Sequence, residues 1–194
     1  MSDEVTIRVK IPPDGHATAG HGYLLAIDPG VRGCGVALFR GGRLQVAGFA
    51  GHTNKESLDD KHTRASVINT VADVVRECLG GVPISMLAIE MPRVHDKKHQ
   101  VGGKSKVDPN DIVKLATVVG ALIHEFSEAT TTVYLPHEWK GQLPKDICHD
   151  RAMGRLDDEE RANLARVVEG KISKKHLLDV LDAVALGLHH VRRL

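Results

Sequence analysis

Tyr23-Leu24-Leu25-Ala26-Ile27-Asp28-Pro29-Gly30 runs directly into Val31-Arg32-Gly33-Cys34-Gly35-Val36-Ala37-Leu38-Phe39. An unbroken apolar run that ends at Pro-Gly predicts a short strand buried on both faces, of the kind that sits centrally in a sheet. Asp28 closes that run. A carboxylate there is costly to desolvate unless it is hydrogen-bonded, paired or bound to a cation. Pro29-Gly30 turns the chain, and the segment carrying Gly33 and Gly35 returns beside the first as its hairpin partner. An isolated Asp-Pro-Gly is most simply a capped turn. Two later segments place carboxylates just as awkwardly, and that changes the reading.

The first of these is Ile84-Ser85-Met86-Leu87-Ala88-Ile89-Glu90, a second buried-looking strand closed by an acid immediately before Met91-Pro92. Ligands in α/β sheets collect just beyond strand ends, so Glu90 is placed to face a site. The second is Leu177 to Leu188, near the C-terminus, where Asp179 and Asp182 are the only charges in an apolar window. Spacing of i, i+3 puts both carboxylates on one helix face, with apolar residues nearly all round. A solvent stripe normally has several polar residues of mixed sign. Two like charges in a poorly solvated place repel unless a cation lies between them, so metal binding is the better reading.

Around these segments the chain divides simply. Residues 1–22, with Pro12-Pro13-Asp14-Gly15, read as an irregular N-terminal extension, and residues 23–194 as one domain. A third strand runs from Arg43 to Ala50 after the Gly41-Gly42 turn. A helix is expected from Lys61 to Leu79, ended by Gly80-Gly81. Asp108-Pro109 opens another that reaches about Phe126. Thr131 to Leu135 reads as a strand, Pro136 to Gly170 as a more polar helical region, and Ser173 as the cap of a terminal helix. The order β-β-β-α-β-α-β-α predicts an α/β fold, a mixed sheet with helices on both faces.

Composition narrows the function. With 194 residues, 26% of them charged, and a net charge of +1, the chain is long enough for one real core and is no polycation. Any nucleic-acid footprint must then be local. Six aromatic residues are too few for the stacking platforms of single-strand binders. No apolar run reaches the length of a membrane span, and no membrane partner is expected. Cys34, Cys78 and Cys148 have no zinc spacing and read as reduced thiols of a cytoplasmic protein. The twelve histidines show no metalloprotease spacing and read mostly as surface residues.

An oxygen-only ligand set suits Mg²⁺, with Mn²⁺ as its substitute, rather than zinc. Carboxylates shared by two such ions roughly 4 Å apart are the machinery of in-line phosphodiester hydrolysis. The loop after Glu90 fits that chemistry. It carries Arg93, Lys97, Lys98, Lys104 and Lys106, with His95 and His99, against the single acid Asp96. A basic run leaving the sheet at the acid site suits phosphate-backbone contacts. The helix at 111–126 is more apolar than one core face requires, and Ala116, Gly120 and Ala121 permit close helix–helix approach. A homodimer through this helix is expected.

Ala26-Ile27-Asp28-Pro29-Gly30, Gly33 to Leu38, Ala88-Ile89-Glu90 and the run from Leu178 to His190 together resemble the RuvC-type Holliday-junction resolvases of the RNase H-like superfamily. The resemblance covers nearly the whole chain after Gly22, in the same order. It implies a five-stranded mixed sheet whose first three strands are antiparallel. It also implies a homodimeric endodeoxyribonuclease that cuts two symmetry-related strands of a four-way junction. Asp28, Glu90, Asp179 and Asp182 match the family's metal-binding acids. Pro136-His137-Glu138-Trp139-Lys140 resembles the segment with a phosphate-contacting lysine, here Lys140, and Lys145 is a candidate for a second basic contact.

Two departures are visible. Arg93 stands where family members with strict junction preference carry an aromatic wedge, and the glycine-rich turn after Lys140 is not evident in the sequence. Arginine stacks on bases or holds phosphate but opens pairs less effectively than an inserted ring, so other branched DNA is also expected to be cut. The competing readings are a YqgF-like nuclease of the same fold acting on RNA, and a catalytically silent module that binds branched DNA. The Asp-x-x-Asp helix with its Ala- and Leu-rich continuation argues against the first, and the presence of all four acids argues against the second.

Overall fold

The computed structural model of the protein describes residues 22–51, 71–77, 79–93, 108–169 and 172–194. Five strands form one sheet in the order β3-β2-β1-β4-β5. They are β1 (Tyr23–Asp28), β2 (Gly33–Arg40), β3 (Arg43–Gly51), β4 (Ile84–Glu90) and β5 (Thr130–Tyr134). The first three are antiparallel, and β1–β4 and β4–β5 are parallel. This is the mixed sheet read from the sequence, with the all-apolar β1 at its centre. Leu24 to Ile27 are buried on both faces.

The helices are α1 (residues 71–77), α2 (Pro109–Glu125), α3 (Pro136–Trp139), α4 (Lys145–Arg155), α5 (Asp158–Glu169) and α6 (Lys174–His190). The start of α2 follows its sequence: Asp108 Oδ1 accepts from the Asn110 N–H at 2.9 Å, and Pro109 fills the first turn, where an amide would be orphaned. Ser173 caps α6 in the same way through the His176 N–H. The expected polar helical region resolves into α3, α4 and α5. The helix expected from Lys61 is seen only as α1, the rest lying outside the described residues, as do residues 1–21 of the expected N-terminal extension. Among the described residues, no helix is long and apolar enough to cross a membrane.

Strand periodicity sorts the core into two layers. Leu25 and Ile27 of β1, with Leu87 and Ile89 of β4, pack beneath α1 and α2. Leu24 and Ala26, with Ala88, face α6, α4 and α5. Each fully buried Leu or Ile contributes roughly 1.5–3 kcal/mol relative to exposure. On the first layer, Arg76 of α1 clamps the end of α2, pairing with Glu125 at 2.7 Å and lying over the Phe126 ring.

Helix α6 lies unusually close to the sheet because glycine stands at both points of contact. A Cβ on Gly35 would lie 2.0 Å from the Asp179 carbonyl oxygen, and one on Gly187 would lie 2.1 Å from the Phe39 ring. Gly35 to Phe39 along a strand and Asp179 to Gly187 along a helix each span roughly 12–14 Å, so α6 runs alongside β2. Gly35 therefore does more than shape the hairpin expected from the sequence. It is the register partner of Asp28, and it brings Asp179 down beside that residue.

Candidate nuclease site

The same period of two that buries Leu24 and Ala26 against α6 points Asp28 to that face, at the end of β1. Ala88 and Glu90 of the neighbouring parallel strand follow the same parity. Asp179 and Asp182, one turn apart on α6, meet them from above. All four sequence-predicted acids thus converge at one end of the sheet. The effect is clearest at Asp28. Burial drives its carboxyl well above the usual value, and the charges of Asp182, Glu90 and Asp179 push it the same way, against a smaller opposing pull from Lys145. Glu90 and Asp179 are raised too, chiefly by burial.

Basic and polar side chains from α3 and α4 answer part of this charge. The Trp139 indole N–H donates to Glu90 Oε2 at 2.7 Å, and Lys140 Nζ lies 3.5 Å from the same oxygen. Lys140 caps the C-terminus of α3, and the chain turns directly after it at Gly141, which takes φ +61°. Gly141 is the one glycine of that turn, which is not glycine-rich. Lys145 Nζ lies 2.5 Å from Asp182 Oδ2, and His149 Nε2 lies 2.7 Å from Oδ1. Burial raises the Asp182 carboxyl, but the hydrogen bonds from His149 and Lys145 outweigh it and leave the group below its usual range. Cys34, beneath the cluster, is an inert thiol pushed up to about 12 by burial.

A cleft of about 460 Å³ opens beside Asp28 and Asp179. Arg32 of the β1–β2 turn and Lys175 and His176 of α6 line it, and the His176 ring stacks on Phe49 with centroids 3.8 Å apart. None of these three basic residues figured among the sequence candidates. Nor did His149, which the sequence had grouped with surface histidines and which is buried on Asp182. A signal existed: His149 follows Lys145 by one helical turn and shares its helix side with the buried Ala152.

Of the expected DNA contacts, Lys140 and Lys145 reach the acids. Arg93 lies near His137, with 3.3 Å between Nη1 and Nδ1. Lys97, Lys98, Lys104 and Lys106 lie outside the described residues. Among the described residues, no group of three or more His, Cys, Asp or Glu side chains is placed closely enough to hold a metal ion as it stands. The donor chemistry nevertheless fits a hard divalent cation. Four carboxylates share one end of the sheet, and Asp28 is raised first by its burial and then by the charges of the other three.

No protein-family model matches the chain, and no curated protein matches its sequence. Solved structures do match its fold. Thermus thermophilus RuvC in complex with a Holliday junction substrate is 17% identical, with 88% of this chain and 92% of that one covered and a TM-score of 0.51. A second Thermus thermophilus RuvC structure is also 17% identical, covering 87% and 92% with a TM-score of 0.52. The yeast mitochondrial Holliday junction resolvase Ydc2 is 11% identical, covering 88% and 80% with a TM-score of 0.50. The chain therefore has the RNase H-like fold of these proteins, five strands with the first three antiparallel.

Proposed function

We propose that this chain is a metal-dependent endodeoxyribonuclease that hydrolyses phosphodiester bonds in branched DNA, four-way junctions foremost. One observation carries the reading: four carboxylates from β1, β4 and α6 gather at one end of the sheet, where burial raises the Asp28 carboxyl and the charges of the other three push it the same way. Asp28, Glu90, Asp179 and Asp182 would hold Mg²⁺, or Mn²⁺ in its place. Bound there, the metal supplies a polarised water and charge neutralisation at the scissile phosphate. The solved structures with this fold include resolvases, one of them bound to a Holliday junction.

The chain's own residues set the path of the substrate. Lys140 lies beside Glu90 and Lys145 beside Asp182, while Arg32, Lys175 and His176 line the cleft at Asp28 and Asp179, so phosphates around the scissile bond meet basic side chains near each acid. Arg93 enters the same region from the end of β4 and takes the place of an aromatic wedge, which favours broad branch selectivity. Cutting two related strands calls for two copies. The outer side of α2 supports that pairing: Val113 is 66% exposed, and among the described residues nothing lies within 4 Å of where a Cβ on Gly120 would stand.

The test is cleavage of end-labelled four-way, Y-shaped and linear duplex DNA with and without Mg²⁺. Symmetric nicking of four-way junctions, weaker cutting of Y-shaped DNA and no cutting without metal are expected. Binding of branched DNA with no cleavage in Mg²⁺ or Mn²⁺ would instead identify a silent binding module, and preferential cutting of RNA would overturn the DNA assignment.

A further inference from the structure

Among the described residues, three polar or charged side chains are buried: Glu160, Asp182 and His149. Two of them are bonded to each other. Asp182 is a carboxylate paired with the Lys145 ammonium, and a carboxylate only accepts, so the 2.7 Å contact is a hydrogen bond donated by His149 Nε2–H to Oδ1. The other oxygen, Oδ2, is met by Lys145 at 2.5 Å. Both partners come from α4, one turn apart, so a single helix edge grips both oxygens of an acid on α6.

The two grips differ in kind. The His149 side chain is 7% exposed and that of Lys145 is 48% exposed. An imidazole among Cys148, Ala152 and the α6 core does not leave without moving α4. A lysine ammonium on a four-carbon stem swings into water by bond rotation alone. Lys145 also interacts with Asp28 and Asp179, so Oδ2 is the oxygen on the cluster side.

We infer that His149 is a positioning residue that locks Asp182 with Oδ2 turned to the cluster, and that Lys145 is the exchangeable counter-cation of the metal-free site. The inference rests on the four-carboxylate reading above. In it, Lys145 neutralises the acids until a divalent ion arrives and then turns to a substrate phosphate, while His149 keeps its bond throughout. Partners that orient a ligating side chain through a hydrogen bond are typically worth about 10–100-fold in metal affinity.

The experiment is calorimetric titration of Mn²⁺ into DNA-free wild type, His149→Leu, His149→Gln and Lys145→Gln. Leucine fills the space without a donor, and the glutamine amide restores an N–H near the position of Nε2. His149→Leu should bind Mn²⁺ roughly 10–100-fold more weakly, and His149→Gln should recover most of that loss. Lys145→Gln should bind more tightly than wild type, because it removes the competing cation. If His149→Leu fails to fold, His149→Asn replaces it, since its shorter amide cannot span the contact and must also lose affinity. Equal affinity for the glutamine variant and the leucine or asparagine variant overturns the role of His149, and weaker binding by Lys145→Gln overturns that of Lys145. Absence of Mn²⁺ heat from wild type as well would bring down the four-carboxylate reading itself, and the inference with it.

Discussion

Glu160 and Asp182 are both sealed carboxylates, 1% and 4% exposed, and their surroundings differ in one respect. Both Glu160 oxygens are taken up by a single cation and two backbone amides. Oε1 accepts from the Leu44 N–H and Arg193 Nη1, and Oε2 from the Asp157 N–H and Arg193 Nη2, at 2.6–2.9 Å. Asp157 returns the bond to the Glu160 amide, a capping box that starts α5. Burial raises this carboxyl, but these bonds outweigh it and hold it at about 2. Asp182 is just as well bonded, yet it belongs to a group of four acids that leaves Asp28 raised. Satisfied polar burial at Glu160 stabilises the fold. Burial and like charge at the Asp28 end cost stability, as the cation site proposed above requires.

The largest test of that contrast is Asp28→Asn. Cleavage should fall below detection while DNA binding stays equal or tightens, because a negative charge facing phosphate has gone. The metal-free variant should also melt no lower than wild type, because the substitution relieves repulsion. Near wild-type cleavage in Mg²⁺, or a large drop in melting temperature, would erase the distinction between the two regions.

Breaking the other region should do the reverse. Arg193→Ala leaves Glu160 buried without its cation and should cost roughly 3 kcal/mol, as removal of one partner of a buried pair generally does. The effect has a sign in pH. The Glu160 carboxyl is depressed in the folded chain, so its contribution is complete above its ordinary titration range and is lost as pH falls through about 2. The difference in unfolding free energy between wild type and Arg193→Ala should therefore be flat above about pH 5 and shrink on acidification. A difference that grows with acid would contradict the assignment.

Arg43 supplies the smallest effect and a control. It pairs with Asp157 and Glu159 of the same region at 2.7 and 2.9 Å, but in solvent. Arg43→Ala should cost less than about 1 kcal/mol, and that loss should fade in high salt. A penalty matching that of Arg193→Ala would show that burial is not what separates the two arginines.

The sequence by itself determined what is local. The apolar run into Asp28, the strand closed by Glu90, the Asp179–Asp182 spacing and the Ser173 cap are each legible within a turn or a strand, because the period of two or 3.6 is set by neighbours. The unbroken apolar runs of β1 and β4 did not specify the face to which Asp28 and Glu90 point. Tertiary structure alone decided what meets that face. His149 reaches Asp182 across 33 positions, Arg193 reaches Glu160 across 33, and Lys140 reaches Glu90 across 50. Gly35 read as part of the returning hairpin strand, and that α6 rests on it is a tertiary contact. Such contacts follow from how whole helices seat on the sheet, and no local period encodes them. A buried histidine and a surface one therefore read alike along the chain.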